Sequence, residues 1–70
     1  MESNVRLGLA KRIKQRRRQL RMTQEGLASK TGLDYKYVQR IEGKNPPAVR
    51  VDTIARIAKA LETTPSKLLQ

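Results

Sequence analysis

The chain has no cysteine, no histidine, no tryptophan and no phenylalanine. Without thiols or imidazoles there is no disulfide framework, no zinc finger, and no cysteine- or histidine-based catalysis. Acidic residues are scarce, 6 against 16 lysines and arginines, and they show no paired metal-ligand spacing. No catalytic constellation, metal site or cofactor is therefore expected. No apolar run approaches the ~18 residues that a membrane span needs. The basic N-terminal residues lack the apolar stretch of a secretory signal, so the cytoplasm is the expected compartment. The only aromatic residues are Tyr35 and Tyr37. Two rings are too few for a single-strand stacking platform, and there is no Trp or Phe to anchor an interfacial membrane helix. Any core must be built from Leu, Ile, Val, Ala and Met.

What the chain has in excess is positive charge. Its formal net charge of +10 exceeds the magnitude of roughly 2–8 usual for a small soluble domain. Residues 1–21 carry eight basic side chains (Arg6, Lys11, Arg12, Lys14, Arg16, Arg17, Arg18 and Arg21) against Glu2, whereas residues 22–70 carry eight basic against five acidic. On the first helix these cations occupy more than one side and repel each other unless an anion is near, which favours steering toward nucleic acid. Seventy residues make a single domain over 1–70. A chain of about 60 residues buries only about 60% of its unfolded surface. Modest stability is expected, aided by dimerisation or by a nucleic-acid partner.

Five short helices can be read, and no period-2 alternation marks a strand. The first runs from about Val5 to Leu20, with Leu9, Ile13 and Leu20 on one face. The second follows Thr23 as N-cap, covers Gln24 to Thr31 with Leu27 and Ala28 inward, and stops at Gly32. The third follows Asp34 as N-cap and covers Tyr35 to Glu42, with Val38 and Ile41 inward and Gly43 at its end. Asn45-Pro46-Pro47 forces a loop. The fourth runs from about Val51 to Leu61 with Ile54, Ile57, Ala58 and Leu61 inward. The fifth has Thr64 as N-cap, Pro65 at its first position, then Leu68 and Leu69. The fold class is all-α, a compact five-helix bundle.

The second and third helices, joined by Thr31-Gly32-Leu33-Asp34, read as a helix–turn–helix over about 23–42. The tight turn favours a glycine at its centre. Close helix approach favours the small Ala28, and Leu27, Leu33, Val38 and Ile41 lock the pair, leaving the outer face of the third helix free for base edges. Thr23-Gln24-Glu25-x-Leu27-Ala28-x-x-Thr31-Gly32-Leu33-Asp34, followed by Tyr37-Val38-x-Arg40-Ile41-Glu42, resembles the lambda-repressor-like, or Xre-type, helix–turn–helix domain. Leu9 and Ile13 look like its first helix. Ile54, Ile57 to Leu61, and Pro65-Ser66-x-Leu68-Leu69 look like its last two. Asp34 to Glu42 is also similar to restriction–modification controller proteins, which share a tyrosine at the position of Tyr37.

The resemblance implies a five-helix bundle that binds operator DNA, usually as a dimer on a palindrome. Tyr35, Lys36, Gln39 and Arg40 then face the bases. Lysine and arginine suit guanine O6 and N7, and glutamine suits adenine N6 and N7. Arg40 has a rival role as a partner of Glu42 or of the second helix. Gln24 sits where a helix N-terminus meets a phosphate. Tyr37 either reaches a phosphate through its hydroxyl or only packs on the bundle. Arg16, Lys44, Asn45 and Arg50 are further expected phosphate contacts. Arg17 and Glu42 are the implied structural ion pair. The sequence departs from the family where Arg21 replaces a frequent glycine, where Gly26 replaces a frequent glutamate, where Arg16 replaces a frequent leucine, and in the loop from Gly43 to Arg50.

The leading functional expectation is a sequence-specific, double-stranded DNA-binding transcriptional regulator that is not an enzyme. The alternatives are an antitoxin-type autoregulator with a protein partner, and a protein–protein adaptor of the coactivator type. The latter has no need of polar base-readers or of so much positive charge. With no separate ligand-binding domain expected, regulation would come from dosage, a partner or proteolysis. A homodimer, weak without DNA, is expected through Leu61, Leu68 and Leu69, with Val49 and Val51 nearby.

Overall fold

A computed structural model of the chain describes residues 2–69, with side chains placed from residue 5 to residue 69. It contains five helices, and no strand among the described residues: α1 (Glu2–Gln19), α2 (Gln24–Thr31), α3 (Tyr35–Ile41), α4 (Val51–Ala60) and α5 (Pro65–Leu69). The first helix begins three residues ahead of the expected Val5. The other boundaries fall within a residue of those read from caps and breakers.

The caps explain why α2 starts and ends where it does. Thr23 is extended (φ −81°, ψ 165°), and its hydroxyl accepts a 2.9 Å hydrogen bond from the Gly26 N–H. Gly32 takes the left-handed conformation (φ 75°) that closes the helix, and nothing crowds its missing Cβ. The buried Thr31 hydroxyl donates to the Leu27 carbonyl at 2.8 Å and accepts from the Leu33 N–H at 3.3 Å, which pins the turn. Asp34 departs from expectation. Its backbone is extended, as an N-cap requires, but its side chain makes no capping bond to α3. Gly43 likewise does not provide a left-handed stop. Its absent side chain matters because a Cβ there would stand 3.2 Å from the Gln39 carbonyl oxygen.

Two left-handed residues are not glycine: Arg21 (φ 55°) after α1 and Glu62 (φ 56°) after α4. Each conformation costs roughly 1–2 kcal/mol. Each is held by a backbone bond across the turn, Met22 N–H to Arg17 O at 3.0 Å and Thr63 N–H to Ala58 O at 2.9 Å.

The core draws on every helix: Leu9 and Ile13 of α1, Leu27 and Ala28 of α2, Val38 and Ile41 of α3, Ile54, Ile57 and Ala58 of α4, and Leu68 of α5. Leu61, just past α4, is 0% exposed, and Leu68 is 2% exposed. Neither can form an intermolecular surface, which corrects their expected place in a dimer interface. In so small a core the last two leucines are needed to close the bundle. Among the leucines expected at that interface only Leu69 remains exposed, and the other large exposed apolar side chains are Val5, Leu7, Tyr35 and Val51.

Candidate nucleic-acid interface

The arrangement is anchored by a charged group inside the protein. Arg17 of α1 meets Glu42, just past α3, through two parallel hydrogen bonds, Nε to Oε2 at 2.8 Å and Nη2 to Oε1 at 2.9 Å. The guanidinium also donates to the Met22 carbonyl at 2.7 Å. The Glu42 side chain is 1% exposed and that of Arg17 10%. A desolvated pair of this kind holds geometry more than it adds stability, provided its polar atoms are satisfied. No buried side-chain nitrogen or oxygen lacks a partner among the described residues.

The same carboxylate reaches a third residue. Gln24, the first residue of α2, donates its amide from Nε2 to Glu42 Oε1 at 3.1 Å. The half-buried Gln24 is therefore tied to the end of α3 and to α1 at once. Its position at the α2 N-terminus, beside free backbone N–H groups, is that of an anion contact.

Helix α3 divides cleanly. Val38 and Ile41 are buried, and Tyr37 is half-buried and packs against the core. Tyr35, Lys36, Gln39 and Arg40 are all exposed, and at 100° per residue they occupy the arc opposite Val38 and Ile41. Gln39 donates from Nε2 to the Tyr35 hydroxyl at 3.2 Å, a one-turn pair that holds both side chains on the outer face. Arg40 makes no pair with Glu42, whose carboxylate is occupied by Arg17 and Gln24. That removes its rival structural role.

The loop after α3 carries Lys44 and Asn45, both exposed, which line a shallow depression with Arg6, Leu7 and Pro46. Arg50 precedes α4 and lies 3.9 Å from Asp52 in a pair open to water, with side chains 85% and 78% exposed. Such a pair contributes little and leaves the cation available.

Arg16 differs most from its sequence reading. Arg16 is half-buried, and its guanidinium is engaged by the chain just past α4 rather than left free. It donates from Nε to the Leu61 carbonyl at 2.9 Å, from Nη2 to the Glu62 carbonyl at 3.4 Å, and from Nη1 to Gln19 Oε1 at 3.2 Å. Arg16 caps the C-terminus of α4, where carbonyls are unpaired and the helix dipole favours a cation. This use also accounts for an arginine where the family resemblance leads to the expectation of a leucine.

Lys14 and Arg18, by contrast, stand beside the start of α2. Both line a groove together with Thr23, Gln24, Glu25 and Tyr35. Their spacing of four residues puts them on one face of α1. That signal was present in the sequence but could not say which face of α1 turns toward α2. A weaker tie the sequence did not reveal is Arg56, whose Nη1 lies 3.5 Å from the Thr31 carbonyl at the end of α2.

A comparison with protein-family models matches residues 13–68 to a helix–turn–helix family. Comparisons with curated proteins and with solved structures return no match to this chain. Among the described residues no cluster of acidic side chains could hold a metal ion, and no helix is long and apolar enough to cross a membrane. The family match spans α2 to α4, the C-terminal part of α1 and nearly all of α5. With a glycine-closed turn, a recognition helix free on its outer face and an N-terminus braced by a buried ion pair, the chain belongs to the helix–turn–helix family of DNA-binding regulatory domains, in its Xre or lambda-repressor-like form.

Proposed function

We propose that the protein is a sequence-specific regulator of transcription that binds a palindromic operator in double-stranded DNA as a dimer. The observation that carries this reading is the outer face of α3. Its four polar side chains are exposed, and Lys36 and Arg40 are committed to no contact inside the protein. A helix of this kind lies in the major groove with Lys36 and Arg40 toward guanine O6 and N7 and Gln39 toward an adenine edge. Tyr35 adds a hydroxyl and an apolar ring to the same face. Gln24 at the α2 N-terminus, Tyr37, Lys44, Asn45 and Arg50 supply phosphate contacts that set the register without reading sequence.

One domain reads a handful of base pairs, each worth about 1–3 kcal/mol of discrimination. That is too little to single out a site in a genome, so two copies are required. Across its two shorter axes the backbone of the described residues spans 23 and 21 Å, well below the ~34 Å between half-sites one turn apart. Two copies therefore fit side by side on one face of the duplex. The apolar surface for pairing consists of Val5, Val49 and Leu69 around a depression of about 260 Å³, with Val51 exposed at the start of α4. A net charge of +10 per copy opposes pairing in free solution, and DNA relieves that opposition.

Selection of bound duplexes from a random library tests the reading. It should enrich a two-fold symmetric site whose half-sites lie about 10–10.5 base pairs apart. A pool that remains random after several rounds, despite measurable binding, would overturn it.

A further inference from the structure

The groove between α1 and the start of α2 has a volume of about 420 Å³ and is lined by Lys14, Arg17, Arg18, Thr23, Gln24, Glu25 and Tyr35. It opens beside Gln24 and Tyr35, at the edge of the surface described above. The charge of Arg17 is neutralised by Glu42. No such partner exists for Lys14 or Arg18, whose side chains make no hydrogen bond or ion pair with any described residue. The outer side of the same stripe continues as an open depression lined by Lys11, Lys14, Gln15, Arg18 and Gln19, with no acid in it. Helix α1 contains no acidic residue after Glu2, so nothing within the helix offsets this row. Glu25 is the only acid that lines the groove without a cationic partner.

A fold gains nothing from two like charges one helical turn apart, and an unshielded pair at that spacing is mildly destabilising. The pair is relieved by an anion between the two ammonium and guanidinium groups. The polar lining of the groove and its continuity with Gln24 suit a phosphodiester rather than a carboxylate side chain on a folded partner. We infer that Lys14 and Arg18 clasp a backbone phosphate of the bound duplex adjacent to the one met by the α2 N-terminus. Helix α1 thereby becomes a third DNA-contacting element that extends the footprint to the flank of each half-site. The contact is to backbone only, so it strengthens all sequences alike. Glu25 faces the same strand and weakens the hold. This assignment rests on the DNA-binding function proposed above.

The experiment is fluorescence anisotropy of the full chain on two duplexes, a selected operator and a scrambled one of the same length, each over a range of salt concentrations. Lys14→Gln/Arg18→Gln should bind both duplexes about tenfold more weakly in moderate salt, and the slope of log K against log salt should become shallower by about 0.9, the value for one lost phosphate contact. Glu25→Gln should bind both about twofold to fivefold more tightly. The comparison variant is Lys59→Gln/Lys67→Gln, which removes the same charge from exposed sites on α4 and α5. Its slope should change by less than half as much. Neither the Lys14 nor the Arg18 side chain bonds to any described residue, so circular dichroism should show unaltered folding. A double variant with the same slope as the Lys59/Lys67 control would overturn the inference and leave the proposed function standing. A wild-type chain with no salt-dependent affinity for any duplex would overturn both.

Discussion

Glu42 lies at the meeting point of three elements. Its carboxylate accepts from Arg17 on α1 and from Gln24 on α2, while its backbone ends α3. Removing it leaves a guanidinium only 10% exposed without a counter-charge. Glu42→Gln should therefore lower the free energy of unfolding by about 3–5 kcal/mol, read from urea titration. A loss below 1 kcal/mol would mean that water reaches the guanidinium. The pairing was legible in the sequence only through resemblance to a known family, because residues 25 apart give no local signal. The third partner, Gln24, was not legible as such, since nothing in a sequence says that a glutamine at a helix N-terminus also braces an ion pair 18 residues away. Arg16 was misread for a related reason. An arginine in a basic run looks solvated until the fold places unpaired carbonyls within its reach. Arg16→Gln should lower stability by about 1 kcal/mol, comparable to losing a helix cap. It should change the salt slope of DNA binding by well under one contact. Arg21 has the opposite character. Its left-handed backbone, at φ 55°, costs more in arginine than in glycine. Arg21→Gly should raise the thermal midpoint by a few degrees, equivalent to about 1 kcal/mol. An unchanged or lower midpoint would show that the arginine side chain offsets the strain.

At the scale of the helices, boundaries were most readable where side-chain chemistry caps the backbone. Thr23 and Gly32 frame α2, and Thr64 with Pro65 opens α5, because hydroxyls and φ > 0 glycines act within a few residues. The start of α1 was less readable, since Glu2 to Asn4 carry neither a breaker nor a pattern. Asp34 shows the limit of cap statistics. The backbone adopts the N-cap conformation while the carboxylate makes no bond to α3. The inward faces of α2 to α4 followed from 3.6-residue spacing, and Ala28 is the tightest test of them. It is 6% exposed within the shared core. Ala28→Leu should cost roughly 1–3 kcal/mol through overpacking, checked by thermal unfolding. A midpoint within a degree or two of wild type would put Ala28 off the packed face. Within α1, Gly8 is a weak point that packing does not require. A Cβ there would meet only the Nη1 tip of Arg12, at 2.9 Å, which is free to move. Gly8→Ala should stabilise by roughly 0.5–1 kcal/mol.

For the whole molecule, charge and apolar surface act against each other. A net +10 draws the chain to DNA and drives copies apart, while Val5, Val51 and Leu69 leave apolar surface uncovered, at 59%, 80% and 45% exposure. The number of apolar residues was readable in advance, but their division between core and surface was not. Leu61 and Leu68 proved to be interior because the bundle closes over them. A Val51→Lys/Leu69→Lys variant should stay folded and sediment as a monomer on DNA, with weaker binding to a two-half-site duplex and unchanged binding to a single half-site. The proposed function requires above all that the outer face of α3 reads bases. It is tested most directly by the ratio of affinities for the selected operator and for scrambled DNA, measured for the wild-type chain and for Lys36→Ala. The predicted result is a loss of about 1–3 kcal/mol on the operator alone, so that the ratio falls by at least about fivefold while scrambled DNA is bound almost as before. An equal loss on both duplexes would contradict the account, because Lys36 would then touch only phosphate.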